Sequence, residues 1–220
     1  MKSMIATSLF FLLSLSLIAQ NDSIIQRQNH NGYDLFNGYW KTVTFKLGGG
    51  VLMPQGELKN YFGVSPLIEL SVDFPVTDSK SLELALQFVV PEQRQGFEYA
   101  RLTDTIQTKA TFLFNPMLRF KKNLIKSDHK KLLLGLGLGA SVITTDARNT
   151  DFFDTSDDRK KYEVITAFLI SPSLGYAKTF KNNNEFTFSI GLNYSPYKVE
   201  GSIREDIGGV AIMPRILYSF

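Results

Sequence analysis

Apolar and polar residues alternate along most of this chain with a period of two. In NEFTFSIGLNY, residues 184–194, Phe186, Phe188, Ile190, Leu192 and Tyr194 share one side of an extended strand, and Glu185, Thr187, Ser189, Gly191 and Asn193 share the other. Alternation of this kind marks a strand between two unlike environments. It begins near Trp40 and divides into eight strands, over about 40–53, 65–75, 81–90, 106–120, 131–144, 161–179, 185–196 and 208–220.

The connections alternate too. VTDSK at 76–80, KKNLIKSDHK at 121–130 and KNNN at 181–184 are compact, whereas MPQGELKNYFGV, PEQRQGFEYARLTD, TDARNTDFFDTSDDRK and YKVEGSIREDIGG are mostly longer. A sheet with a short-turn end and a long-loop end is the pattern of outer-membrane barrels, whose turns face the periplasm. A Pro-x-Leu/Ile-x-Leu/aromatic unit also recurs in the even strands, at Pro66, Pro116, Pro172 and Pro214. Proline cannot donate to a ladder, so each is expected at a bulge or a non-hydrogen-bonded position.

Which row faces water depends on what fills the polar one. That row is mostly small: Leu133, Gly135, Gly137, Gly139 and Ser141 in strand five, Ile165, Ala167, Leu169, Ser171, Ser173, Gly175 and Ala177 in strand six, and Thr187, Ser189, Gly191, Asn193 and Ser195 in strand seven. A narrow eight-stranded lumen needs small residues opposite large ones, whereas a face in bulk water would carry Lys and Glu. The other row is aliphatic, as at Leu82, Leu84 and Leu86. Its aromatics gather at two levels, Phe74, Phe120, Tyr176, Phe186, Tyr218 and Phe220 at one and Phe88, Phe112, Tyr162 and Tyr194 at the other. Two aromatic girdles flanking an aliphatic band suit a bilayer. The expected fold is therefore all-β, an eight-stranded antiparallel up-and-down transmembrane barrel with a filled lumen. The charges of the polar row, Glu69, Asp73, Glu83, Lys109, Arg119 and Arg215, must pair in such a lumen, since an unpaired buried charge costs several kcal/mol. An ion-pair network of Glu69, Glu83, Arg119 and Arg215 is expected to plug it.

Composition agrees. The 220 residues are 44% hydrophobic and 20% charged, with a net charge of +3, which fits one large β domain and gives nucleic-acid binding no support. No cysteine is present, so disulfides and thiol chemistry are excluded. At the N-terminus, Lys2, the apolar run from Ile5 to Ile18 and the sequence Leu17-Ile18-Ala19 form a signal-peptide pattern. The run is shorter than the roughly 20 residues of a spanning helix. The expected organisation is a signal peptide over 1–19, a periplasmic extension over 20–39 and the barrel over 40–220.

The last strand, Val210 to Phe220, ends on a Phe two residues after Tyr218 and looks like the signal that the barrel assembly machinery recognises. Phe45-Lys46-Leu47-Gly48-Gly49-Gly50 with Pro54-Gln55-Gly56-Glu57-Leu58 resembles the opening of small outer-membrane β-barrel proteins of the Bacteroidota, a group that includes PorT-like and OmpA/OmpX-like barrels. The resemblance implies an eight-stranded barrel in the outer membrane of a Gram-negative bacterium, and it brings no catalytic residues with it.

Catalysis has little to work with. The histidines are His30, before the barrel, and His129, in a short turn, and neither is placed like the His–Ser pairs of barrel-type lipid hydrolases. Asp146, Asp151, Asp154, Asp157 and Asp158 offer oxygens, but their spacing fits no calcium loop and Arg148, Arg159 and Lys160 partly neutralise them. No metal, cofactor or catalytic residue is expected. The expected partners are outer-membrane lipid, the assembly machinery, and other envelope proteins. These last would dock through the long loops, with Phe97-Glu98-Tyr99 and Asp151-Phe152-Phe153-Asp154 exposed, or through the basic turn Lys121, Lys122, Lys126, Lys130, Lys131. The alternative reading is a soluble secreted calycin-like barrel whose apolar row lines a cavity for a hydrophobic ligand.

Overall fold

The computed structural model describes residues 43–100, 104–127, 129–148, 162–180, 184–197 and 207–219. The signal-peptide and extension regions and Phe220 lie outside the described residues. The chain runs β1 (Thr44–Gln55), α1 (Leu58–Tyr61), β2 (Ser65–Pro75), β3 (Lys80–Val89), β4 (Phe97–Ala100), β5 (Thr105–Thr108), β6 (Ala110–Ser127), β7 (Lys130–Arg148), β8 (Tyr162–Thr179), β9 (Glu185–Tyr194) and β10 (Val210–Ser219). Eight of these strands close an antiparallel barrel in the order β1-β10-β9-β8-β7-β6-β3-β2, and β4 and β5 form a separate hairpin. Closure leaves no edge, so every barrel strand is paired on both sides.

Several expected boundaries move. The fourth strand, read as 106–120, is two elements, because β5 leaves the barrel to pair with β4 while β6 runs from Ala110 to Ser127. The stretch 121–130, read as a turn, is mostly strand: Lys121 pairs with Gly135 and Ser127 with Lys130. Periodicity misplaced it because lysine alternates as readily with apolar residues on a strand as it collects in a turn. β6, β7 and β8 have 18, 19 and 18 residues, against 10 to 12 for the other barrel strands.

The prolines are not at register shifts. Those fall between Ala110 and Phe112, Asn123 and Ile125, and Thr144 and Arg148. The β6–β7 pairing lapses between Phe114 and Met117 around Pro116, β8–β9 between Ile170 and Ser173 around Pro172, and β1–β10 between Arg215 and Ile212 around Pro214, each without a change of register. The missing N–H is thus absorbed at gaps in the ladder. The repeat also sets a phase. Its second and third apolar positions, Ile68 and Leu70, Leu118 and Phe120, Leu174 and Tyr176, and Ile216 and Tyr218, all point outward and are exposed. The residues one and three after each proline therefore point inward: Leu67 and Glu69, Met117 and Arg119, Ser173 and Gly175, and Arg215 and Leu217, of which the three charged ones are buried.

Candidate functional site in the lumen

The lumen has two unlike halves. At the turn end, the repeat brings Glu69, Arg119 and Arg215 together: Arg119 Nη1 donates to Glu69 Oε1 at 2.9 Å and Arg215 Nη1 to Glu69 Oε2 at 2.6 Å. Arg119 also pairs with Glu83. Four side chains outside the expected set of Glu69, Glu83, Arg119 and Arg215 extend this network toward the turns, together with Asp73. Lys46 Nζ lies 3.0 Å from Asp73 and 3.7 Å from Glu185; Lys121 donates to Glu83 at 2.6 Å and pairs with Asp73; and Lys131 pairs with Glu185. Four carboxylates and five cations thus share one chain of ion pairs.

Lys121 and Lys131, read from sequence as part of a solvated basic turn, therefore belong to the lumen. The signal for Lys121 was its place two residues after Arg119, on the same face of one strand. Lys109, read as part of the inward row, is exposed between β5 and β6, because the hairpin shifts that segment off the barrel wall.

Glycine makes the room these long side chains need. Gly48 stands directly opposite Glu69, and Gly50 opposite Arg215. A Cβ on Gly50 would come within 2.4 Å of the Pro214 carbonyl oxygen and 3.0 Å of Arg215 Cγ. On the other side of β10, a Cβ on Gly191 of β9 would meet the Arg215 guanidinium at 3.2 Å. The space left between the network and Gly135, Gly175, Ser173 and Ser189 is about 30 Å³, room for about one water. A wider vestibule of about 180 Å³ lies at the turn end, lined by Thr44, Asp73, Lys80, Lys121, Lys131 and Glu185 among others.

The loop end is apolar. Leu52, Leu67, Val89, Leu113, Ile143, Ile165 and Met213 point inward from the strands and pack with Leu58, Phe62, Phe97, Tyr99, Tyr197 and Ile207 from the loops. In this half most strands are apolar on both faces, while β9 keeps Asn193 pointing inward, so the small and polar inward row is interrupted here by large apolar side chains. Phe97 and Tyr99, expected to be exposed on a loop, are buried at 0% and 7% exposure because the β4–β5 hairpin folds its apolar face over the mouth. Hydrogen bonds from Gly63 N to the Glu92 carbonyl at 2.7 Å and from Arg94 N to the Tyr61 carbonyl at 2.8 Å tie the cover down. Between the halves a polar series runs from Tyr197 through Ser141, Asn115 and Gln87 to Glu69, with Gln87 Nε2 donating to Glu69 at 2.8 Å and Ser141 Oγ to Asn115 at 2.6 Å.

Asp146, the described member of the acidic loop cluster, accepts from Thr108 Oγ1 at 2.7 Å and from Lys109 N at 2.8 Å, fastening β5 to β7. Burial works against its ionisation, but these hydrogen bonds prevail and hold its carboxyl below the usual range. Asp151, Asp154, Asp157 and Asp158, like Phe152 and Phe153, lie outside the described residues, and among the described residues no group of three or more acidic or histidine side chains could hold a metal. Tyr218 faces outward, opposite Phe186, with its hydroxyl accepting from Asn184.

The outer wall reverses the inner one. Phe45 and Leu47, Ile68 and Leu70, Leu82 and Leu84, Leu118 and Phe120, Leu134 and Leu138, Phe168 and Leu174, Phe188 and Ile190, and Ile216 and Tyr218 all stand exposed, at least two from each barrel strand. Aromatic contacts join the loop-end level, Phe88 stacking on Phe114 at 5.1 Å and Phe168 meeting Tyr194 edge-on at 6.0 Å. The apolar row of NEFTFSIGLNY points out of the barrel, and Thr187, Ser189 and Asn193 point in.

No family model matches the chain, and no curated protein does. Among solved structures it is similar to the N-terminal β-barrel domain of Pseudomonas aeruginosa OprF, at 15% identity and a TM-score of 0.41 over 81% of this chain and 97% of that one. It is similar too to Ail, the attachment invasion locus protein of Yersinia pestis, at 9% identity and a TM-score of 0.44 over 80% of this chain and 95% of that one.

Proposed function

We propose that this chain is an integral outer-membrane β-barrel of a Gram-negative envelope, without catalytic activity or cofactor, whose role is structural or interactive. The observation that carries this reading is the outward apolar band around a closed barrel with an ion-pair network inside. In water such a band would be an exposed apolar surface far larger than soluble monomers carry. In lipid it is satisfied, and the closed ladder leaves no open sheet edge. The alternative carrier needs an apolar cavity, but among the described residues the loop-end lumen is packed, with about 10 Å³ open beside Leu52, Phe62 and Tyr197. A small pore is disfavoured in the same way by the ion-pair network and the apolar plug. The chain would be inserted by the barrel assembly machinery and would meet other envelope proteins, such as those of a secretion complex, through its loops or its turn end.

The test is to express the chain with its N-terminal region, separate the membranes, and run the outer-membrane fraction on a gel with and without boiling. An intact barrel in lipid migrates faster until heated. Recovery as a soluble periplasmic protein with no heat shift would sink the proposal.

A further inference from the structure

The turn end of the outer wall departs from the apolar band in one sector. On β6, β7 and β8 the lysines Lys122, Lys130 and Lys178 stand on the outward face, and Lys130 is directly opposite Lys178 in the ladder. Like charges directly opposed across a ladder destabilise it unless something between them carries the opposite charge. Among the described residues no carboxylate on this face supplies that charge. The described carboxylates of this end, Asp73, Glu83 and Glu185, point into the lumen, where Lys46, Lys121 and Lys131 pair with them; Asp78 sits exposed on the β2–β3 turn.

The same sector also exposes apolar side chains. Leu124 and Ile125, brought side by side by the register shift in β6, are 48% and 64% exposed, and Leu132 stands opposite Ile125. Lys178 Nζ lies 5.9 Å from the ring centre of Phe180, at the lower margin of the band. Cations above exposed aliphatic groups, at the level where a hydrocarbon core gives way to headgroups, match a molecule with an anionic head and apolar tails.

We propose that this outer sector of β6–β8 is a seat for an anionic phospholipid of the periplasmic leaflet. Lys130 and Lys178 hold its phosphate between them, Lys122 flanks it, and Ile125 and Leu132 lie along its chains. The seat rests on the reading of the chain as a membrane barrel with its turns in the periplasm, and it goes beyond that reading in fixing one lipid class to one sector.

The experiment is to purify the intact barrel in a neutral detergent, add phosphatidylglycerol or phosphatidylcholine, and count bound lipids by native mass spectrometry. The wild type and Lys130→Gln/Lys178→Gln are compared, and the heat-shift gel verifies that both are folded. Expected is a preference for phosphatidylglycerol that falls by about 10-fold or more in the double variant, at roughly a few-fold per lysine. Inorganic phosphate at the same concentration should not displace the lipid, because it cannot engage Ile125 and Leu132. Equal retention of the two lipids by the folded wild type, or a preference unchanged in the folded variant, overturns the seat while leaving the barrel reading standing. A chain that neither enters detergent micelles nor shifts on heating overturns both.

Discussion

Arg215 donates to Glu69 at 2.6 Å across the width of one intervening strand, joining residues 146 positions apart in the chain. The strand between them is β1, and at the two crossing points it offers Gly48 and Gly50. The bridge therefore depends on the absence of side chains as much as on the two charges.

Gly50→Ala should accordingly weaken the barrel. The added methyl meets the Pro214 carbonyl oxygen, a backbone atom that cannot swing away. The expected loss is about 1–3 kcal/mol, the usual cost of overpacking, read as a lower urea midpoint for loss of the fast-migrating gel band. An unchanged midpoint would show that β1 can shift to admit the methyl.

Glu69→Gln removes the one carboxylate that Arg119 and Arg215 share. Two guanidinium groups are then left in a dry lumen with less counter-charge, and the expected destabilisation is about 3–5 kcal/mol. Replacing Glu69, Arg119 and Arg215 together by Met should cost much less than Glu69→Gln alone, since it leaves no orphaned charge. Urea titration of both variants in the same detergent checks the ordering, and a triple variant weaker than the single one would contradict it.

On the outer face the sign reverses with position. Ile190 lies in the middle of β9 and is 49% exposed, so Ile190→Arg should impede insertion by about 2–4 kcal/mol, the cost of an arginine at the bilayer midplane of a barrel. Folding yield into lipid vesicles measures it. A yield equal to the wild type's would argue that this face does not meet hydrocarbon.

Asp146 gives a local dependence on pH. It lies near the loop end of β7, beyond the ten or so residues that a strand needs to cross a bilayer. Its carboxyl is held low in the native state by Thr108 and Lys109, so its contribution is present above the unfolded-state value of about 3.9 and is lost as pH falls through the lower native value. Protection of the Lys109 amide from hydrogen exchange should therefore hold at neutral pH and fade in acid. Asp146→Asn should reduce that protection at neutral pH, and a flat pH profile in the wild type would rule this clamp out.

Much was legible before any tertiary contact was known. Period-two alternation placed all eight barrel strands, the lengths of the connections separated the two ends, and small residues in the polar row identified the narrow side of the wall. The proline-spaced repeat set the phase that turns Glu69, Arg119 and Arg215 to the same side, because a strand's side chains alternate by geometry whatever the strand is packed against.

Closure decided the rest. Lys46, Lys121 and Glu185 lie far apart in sequence, and only the register of a closed sheet brings them to Asp73 and Glu83. The apolar plug was hidden for a related reason: where Leu52, Val89 and Ile143 point inward opposite an apolar outer face, the strand has no polar row to betray its orientation. The β4–β5 hairpin read as part of a strand and an open loop, since nothing local shows that Phe97 and Tyr99 fold back over the mouth. Alternation is a property of one strand, whereas inside and outside are properties of the ring that eight strands make together.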